Sequence, residues 1–382
     1  MINQIRERKT INIGTELSTH KFIKDKEDKI SNEKVKKENT YFKAWNKASI
    51  EPSNGTYHLI SDGILRAKDS SFLFQNESAS VIIPPEGTDT LSVYSNIVFL
   101  PNVFESLNKN KIALNMYDRF GSFVGSFIPA NNEKVSETAI NQMKVFCNDN
   151  ERLKIARKIE LAATYNIKAN LKYYYKRYGQ KAIKERIDEI SELSNKYFAV
   201  KTVDELLIIE AKIRQKYFSC YDDIMDDDNF VFVKRSRRPP LNALNALISF
   251  GNTLLYQKVA TEIRKSSLDI KIGFIHSPNR RSETLHLDIT EIFKPIIVDR
   301  VIFSLVNKKM IDKNEHFEDH NGGVYLNKEG KKIFINAYYN KINSKITVDG
   351  EILSFRKLIV REINKLVNYI NNGGNYIPYK NY

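Results

Sequence analysis

Tyr57-His58-Leu59-Ile60-Ser61-Asp62-Gly63-Ile64-Leu65-Arg66 reads as strand, tight turn, strand: apolar and β-prone residues flank a Ser-Asp-Gly break. The same grammar runs on through Ser71-Phe72-Leu73-Phe74 and through 80–83, 90–94, 111–117 and 122–128, with Gly, Pro, Asn and Asp between the runs. Val103-Phe104-Glu105-Ser106-Leu107 sits among them as a short helix. From about Val135 the period changes. Leu153, Ala156, Ile159, Ala162 and Ala163, then Ile183, Ile187, Ile190 and Leu193, recur at helical spacing. Further helices are expected over 204–218, 241–264, 292–306, 328–342 and 354–370. The fold class that follows is α+β: a small β-sandwich-like domain over 57–134, then a larger all-α domain over 135–382.

Upstream, residues 1–56 read differently. The stretch from Lys21 to Glu38 is nearly all Lys, Glu, Asp, Ser and Asn. Too few apolar side chains are present to offset the entropy of ordering it, so 1–56 is expected to be an extra, flexible tail.

The chain has 382 residues, 42% of them hydrophobic, which suffices for two cored domains. Lys and Arg total 60 against 46 Asp and Glu, a net charge of +14 that favours a polyanionic partner through counterion release. Two distant cysteines, Cys147 and Cys220, exclude a disulfide framework and are expected to be reduced, buried and inert. The N-terminus shows no apolar leader and no uncharged stretch is long enough to span a bilayer, so a cytoplasmic protein with no membrane partner is expected.

Three segments hold the residues that could carry chemistry. Glu210, in Asp204-Glu205-Leu206-Leu207-Ile208-Ile209-Glu210-Ala211, falls beside an apolar helical stripe; a buried carboxylate needs a partner there, and Arg214 four residues on is one. His276 ends the apolar run Lys271-Ile272-Gly273-Phe274-Ile275, at the mouth of a loop. Asp288 and Glu291, in Leu285-His286-Leu287-Asp288-Ile289-Thr290-Glu291-Ile292-Phe293, share a helix face; Asp288 as N-cap with Glu291 three residues on also matches a capping box. Two carboxylates and an imidazole from separate elements form an oxygen and nitrogen set suited to Mn²⁺ or Mg²⁺. His276 fits either ligation or proton transfer. Between them, Lys234-Arg235-Ser236-Arg237-Arg238-Pro239-Pro240 is a phosphate-seeking patch that launches a helix. Arg280 and Arg281 add to the DNA-binding candidates, as does Tyr217. The acidic run from Asp222 to Asp228 reads as a solvated loop.

The order of these pieces resembles a known family. Glu210-Ala211 with Tyr217-Phe218, Arg237-Arg238-Pro239-Pro240, Asn242, and Asn245-Ala246-Leu247-Ile248-Ser249-Phe250-Gly251 are similar to the CRISPR-associated adaptation endonuclease and integrase, the first-numbered Cas protein. Gly273-Phe274-Ile275-His276, Leu287-Asp288-Ile289-Thr290-Glu291-Ile292-Phe293-Lys294-Pro295, Gly322-Gly323-Val324-Tyr325-Leu326 and Tyr376-Ile377-Pro378-Tyr379-Lys380 continue the likeness. Ile60 to Leu65 and Gly121 to Phe127 resemble its β domain, and the motif style resembles the branch accompanying type I systems.

The resemblance implies that the β domain mediates homodimerisation and that the helical domain is catalytic. It implies that Glu210, His276 and Glu291 bind the divalent cation, with Asp288 an adjacent acidic residue that also matters. The implied reaction joins 3′-hydroxyl ends of a short spacer DNA to a CRISPR repeat, together with a small second-numbered Cas protein. Three departures stand out. Residues 1–56 have no counterpart, Asn252 stands where tyrosine is common, and Glu291 stands where some branches carry Asp, which leaves open whether Asp288 or Glu291 is the main metal ligand. Two other readings keep the same residues: an integrase relative of a mobile element, and a catalytically silent DNA-binding scaffold whose carboxylates serve as caps and ion pairs.

Overall fold

The computed structural model describes residues 50–53, 55–130, 136–276 and 282–381. The N-terminal part is two sheets. The first contains β1 (Ile50–Ser53), β2 (Thr56–Leu59), β6 (Thr90–Val93), β8 (Ala113–Tyr117) and β9 (Phe123–Phe127), in the order β1-β2-β6-β8-β9. The second contains β3 (Gly63–Lys68), β4 (Ser71–Gln75), β5 (Ser80–Ile83) and β7 (Ile97–Phe99), in the order β5-β4-β3-β7. Pairs β2/β6, β6/β8 and β3/β7 run parallel, the rest antiparallel.

Alternation builds the core between the sheets, because successive strand residues face opposite ways. Leu65, Phe72, Phe74, Val81 and Ile83 from one sheet meet Ile50, Leu59, Leu91, Val93 and Leu114 from the other. Helix α1 (Asn102–Lys109) adds Val103 and Leu107. The expectation of a tail to residue 56 is corrected at its end: 50–53 pair with β2 from Leu59 back to Thr56, with Ile50 fully buried. Four residues are too short a signal beside so polar a stretch. Residues 1–49 lie outside the described residues.

The second part is mainly helical: α2 (Ser136–Cys147), α3 (Asp149–Tyr178), α4 (Lys181–Asn195), α5 (Val203–Phe218), α6 (Tyr221–Ile224), α7 (Ala243–Lys265), α8 (Leu285–Phe293), α9 (Val298–Asn307), α10 (Lys328–Asn343) and α11 (Phe355–Asn372). The caps are local. Asn148, Thr202 and Asn242 accept backbone N–H groups at the starts of α3, α5 and α7, and Gly179, in the left-handed region, ends α3. The single helix expected over 292–306 is instead two, α8 and α9, because Pro295 cannot continue α8. Asp288 is therefore inside the first turn of α8 rather than its cap; Thr284 precedes the helix.

Two hairpins interrupt the helices. Strands β10 (Phe317–His320) and β11 (Gly323–Leu326) flank Asn321-Gly322, and β12 (Lys345–Val348) and β13 (Glu351–Ser354) flank Asp349-Gly350. Both turn residues of each pair have positive φ, the backbone that two-residue hairpins require and that Asn-Gly and Asp-Gly supply. The cysteines divide. Cys220 is buried, and burial pushes its thiol up to about 12, but Cys147 is exposed, against expectation. No helix among the described residues is long and apolar enough to cross a membrane.

The two parts meet through aromatic packing. His58 of β2 is buried, its Nδ1 3.1 Å from the Tyr94 hydroxyl and its ring edge-on to Tyr339 of α10. Gly121, at φ +87°, lets the β8–β9 turn press against α7: a Cβ there would lie 2.6 Å from the Phe250 ring.

Candidate active site

A cavity of about 770 Å³ opens where α3, α5, α7, α8, the β8–β9 turn and the β10–β11 hairpin converge. Glu210, His276 and Glu291 all line it. Helix α5 sets Glu210 one turn before Arg214, and the two form an ion pair. The Arg214 guanidinium also pairs with Glu291 of α8, so carboxylates from two helices converge on one side chain. The other oxygen of Glu291, Oε1, accepts from Lys294 Nζ at 2.5 Å, and that ammonium lies 4.9 Å from the Tyr256 ring centroid.

His276 reaches the cavity from the loop after α7, and Asp288 decides how. Asp288 is 0% exposed and accepts four bonds: from the backbone N–H of Phe274 (2.5 Å), Ile275 (2.9 Å) and His276 (3.1 Å), and from His276 Nδ1 (2.7 Å). With every lone-pair direction taken, Asp288 is a positioning group. Its acceptor role puts the proton on Nδ1 and leaves Nε2 of His276 without the imidazole proton. Gly273 makes this possible, since a Cβ there would lie 2.8 Å from Asp288 Oδ2.

Other sequence-derived candidates sort themselves by exposure. Arg237 and Arg238 are exposed and line the cavity mouth. Lys234 is exposed beside them. Arg235 also lines the cavity but is half-buried, donating to Asn245 Oδ1 (2.9 Å) and Ser249 Oγ (3.0 Å), so it ties the basic segment to α7. Tyr217 as a DNA contact is corrected: it is 0% exposed, donating to Asp299 Oδ2 at 2.9 Å and accepting from Asn170 Nδ2 at 2.9 Å. Arg280 and Arg281 lie outside the described residues. The Asp222–Asp228 segment is used internally, with Asp222 accepting from Phe232 N and Asp227 from Lys309 Nζ.

Sequence reading missed three cavity residues. Glu160 of α3 is 2% exposed, and burial, then the charge of Glu210, pushes its carboxyl up to about 8. Its signal was its place on the stripe Ala156, Glu160, Ala163, Ile167, where only apolar side chains are expected. Burial pulls the Lys294 ammonium below its ordinary value. Burial works to raise the Tyr256 phenol, but the charge of Lys294, with help from Arg214 and Arg237, outweighs it and lowers the pKa. No local pattern marks Lys294 or Tyr256.

Comparison with known proteins covers the same elements. The family model of CRISPR associated protein Cas1 matches residues 57–340. The CRISPR-associated endonuclease Cas1 2 of Thermodesulfovibrio yellowstonii is 36% identical over 324 residues, 84% of this chain and 97% of that protein. The CRISPR-associated endonuclease Cas1 of Thermotoga maritima is 33% identical over 315 residues, 82% of this chain and 96% of that protein. Among solved structures, a CAS1 protein from Thermotoga maritima matches with a TM-score of 0.76 at 32% identity, over 84% of this chain and 97% of that one. A casposase bound to integration product shares the fold, with a TM-score of 0.74 at 20% identity over 84% of this chain and 93% of that one. Since these matches run through both the sheets and the helices that wall the cavity, this chain belongs to the Cas1 family of CRISPR-associated proteins.

Proposed function

We propose that this chain is a divalent-metal-dependent DNA endonuclease and integrase that joins the 3′-hydroxyl ends of a short spacer DNA to a CRISPR repeat array. The observation that carries this reading is the shared cavity: Glu210, His276 and Glu291 arrive from separate elements, with exposed Arg237 and Arg238 at its mouth. Two carboxylates and the Nε2 of His276 are a donor set fitted to Mn²⁺ or Mg²⁺. A cation bound there supplies charge stabilisation at the scissile phosphate and lowers the pKa of the attacking hydroxyl.

The chain's own residues do the rest. Asp288 holds His276 in one tautomer and orientation. Arg237 and Arg238 grip backbone phosphates and set the strand over the cavity. In the joining step the spacer 3′ oxygen bonds to phosphorus as the bond from phosphorus to the repeat strand's 3′ oxygen breaks. The proton of the attacking hydroxyl ends on the departing oxygen. One diester replaces another, so orientation and electrostatics supply the rate.

Two partners belong to this reading. A solved Cas6-RT-Cas1–Cas2 complex contains the same fold, which supports a small second Cas protein as partner. A homodimer through the β domain is supported by an apolar outer face, where Ile64, Ile82 and Val98 of β3, β5 and β7 are exposed. The test mixes the purified protein, its small partner, Mn²⁺ and a repeat-bearing plasmid. Joined products are expected from wild type and not from Glu210→Ala; equal joining by both would overturn the assignment.

A further inference from the structure

Three carboxylates line the cavity: Glu160, Glu210 and Glu291. Two of them hold Arg214. The third forms no hydrogen bond or ion pair among the described residues, although it is nearly fully buried. Asp288 has no capacity left, and Asp299 already accepts from Tyr217. A carboxylate only 2% exposed is costly to ionise unless a cation pairs with it.

We infer that Arg214, which pairs with both Glu210 and Glu291, competes with a divalent ion for those two carboxylates, and that Glu160 receives Arg214 when the ion displaces it. The inference rests on the metal reading above. Its first support is exclusion. An ion held by Glu210 and Glu291 needs their oxygens within roughly 2.0–2.2 Å, the space that the guanidinium nitrogens now take. Arg214 bridges these two carboxylates.

The second support is the fate of the displaced charge. Arg214 keeps only 17% of its side chain exposed, so a guanidinium pushed off both carboxylates would not simply return to water. Glu160 faces the same cavity, and its charge acts on Arg214 next after that of Glu210. Moving Arg214 from the ligands to Glu160 keeps the guanidinium paired after the ion enters and gives Glu160 the partner it otherwise lacks among the described residues. Arg214 thereby competes with the ion for the ligand carboxylates, and Glu160 sets how readily it lets go. Glu160 is a positioning residue in this scheme, acting on the ion only through Arg214.

The experiment is Mn²⁺ binding to the full chain by titration calorimetry, in wild type, Arg214→Met, Glu160→Gln and the double variant. Arg214→Met is expected to tighten binding, and Glu160→Gln to weaken it by about tenfold, the low end of what outer-shell changes do to metal sites. In the Arg214→Met background, Glu160→Gln is expected to change nothing. Equal weakening in both backgrounds would make Glu160 a direct ligand and overturn the inference, as would weaker or unchanged binding in Arg214→Met. Arg214→Gln, which keeps donors for both carboxylates but not the charge, carries the same comparison if Arg214→Met does not fold. Glu210→Ala separates the two levels: Mn²⁺ binding that survives it removes the metal reading itself, whatever Arg214 and Glu160 do.

Discussion

The outer face of the sheet β5-β4-β3-β7 and the helix α8 break the burial rule in opposite directions. The sheet exposes Ile64, Ile82 and Val98, the last at 59%, whereas α8 buries all nine of its residues, His286, Asp288, Thr290 and Glu291 included. Each departure costs free energy in the isolated chain. In α8 the cost is offset inside the molecule, by backbone amides on Asp288 and by Arg214 and Lys294 on Glu291. On the sheet face a second protein surface is the natural remedy. Buried charge thus points inward to chemistry, and exposed apolar surface points outward to assembly.

Three substitutions break or sharpen that contrast. Asp288→Ala acts on the buried side and leaves three amides and His276 without their acceptor. It is expected to cost about 3–5 kcal/mol in urea unfolding, with joining lost. A loss under about 1 kcal/mol would mean that Asp288 is not the organising acceptor. Val98→Asp acts on the exposed side and is expected to shift sedimentation from dimer to monomer while changing unfolding by less than about 0.5 kcal/mol, as surface changes usually do. An unchanged dimer would move the interface elsewhere. The smallest effect is at the cavity mouth. Arg237→Ala and Arg238→Ala should each flatten the log–log salt dependence of DNA binding by about one unit, from a slope near about −5 for roughly six phosphates. Salt slopes equal to wild type would show that these arginines do not touch phosphate.

Much of this was legible in the chain, for local reasons. Strands β2 to β6, β8 and β9 follow from short apolar runs between turn residues, and α3, α4, α5, α7, α10 and α11 from helical spacing. The hairpin turns Asn321-Gly322 and Asp349-Gly350 were just as local, but their strands are four residues each and lie inside helical surroundings. Glu210 was readable beside an apolar helical stripe and His276 at the end of an apolar run, whereas Glu291, whose spacing from Asp288 also fits a capping box, was singled out by the family resemblance. Tyr217, a DNA-binding candidate from the sequence, is instead held inside by its hydroxyl on Asp299.

By itself, then, the sequence determined the α+β order and the identity of the three cavity-lining candidates, since propensity and periodicity act over a few residues. Only the tertiary structure decided that Asp288 holds His276 while Glu291 faces the cavity, that Arg214 bridges two helices, and that Glu160 stands beside them with no ion-pair partner among the described residues. Those are facts about distance and desolvation between remote segments. An ionisable side chain takes its role from the charges and the water that folding leaves around it.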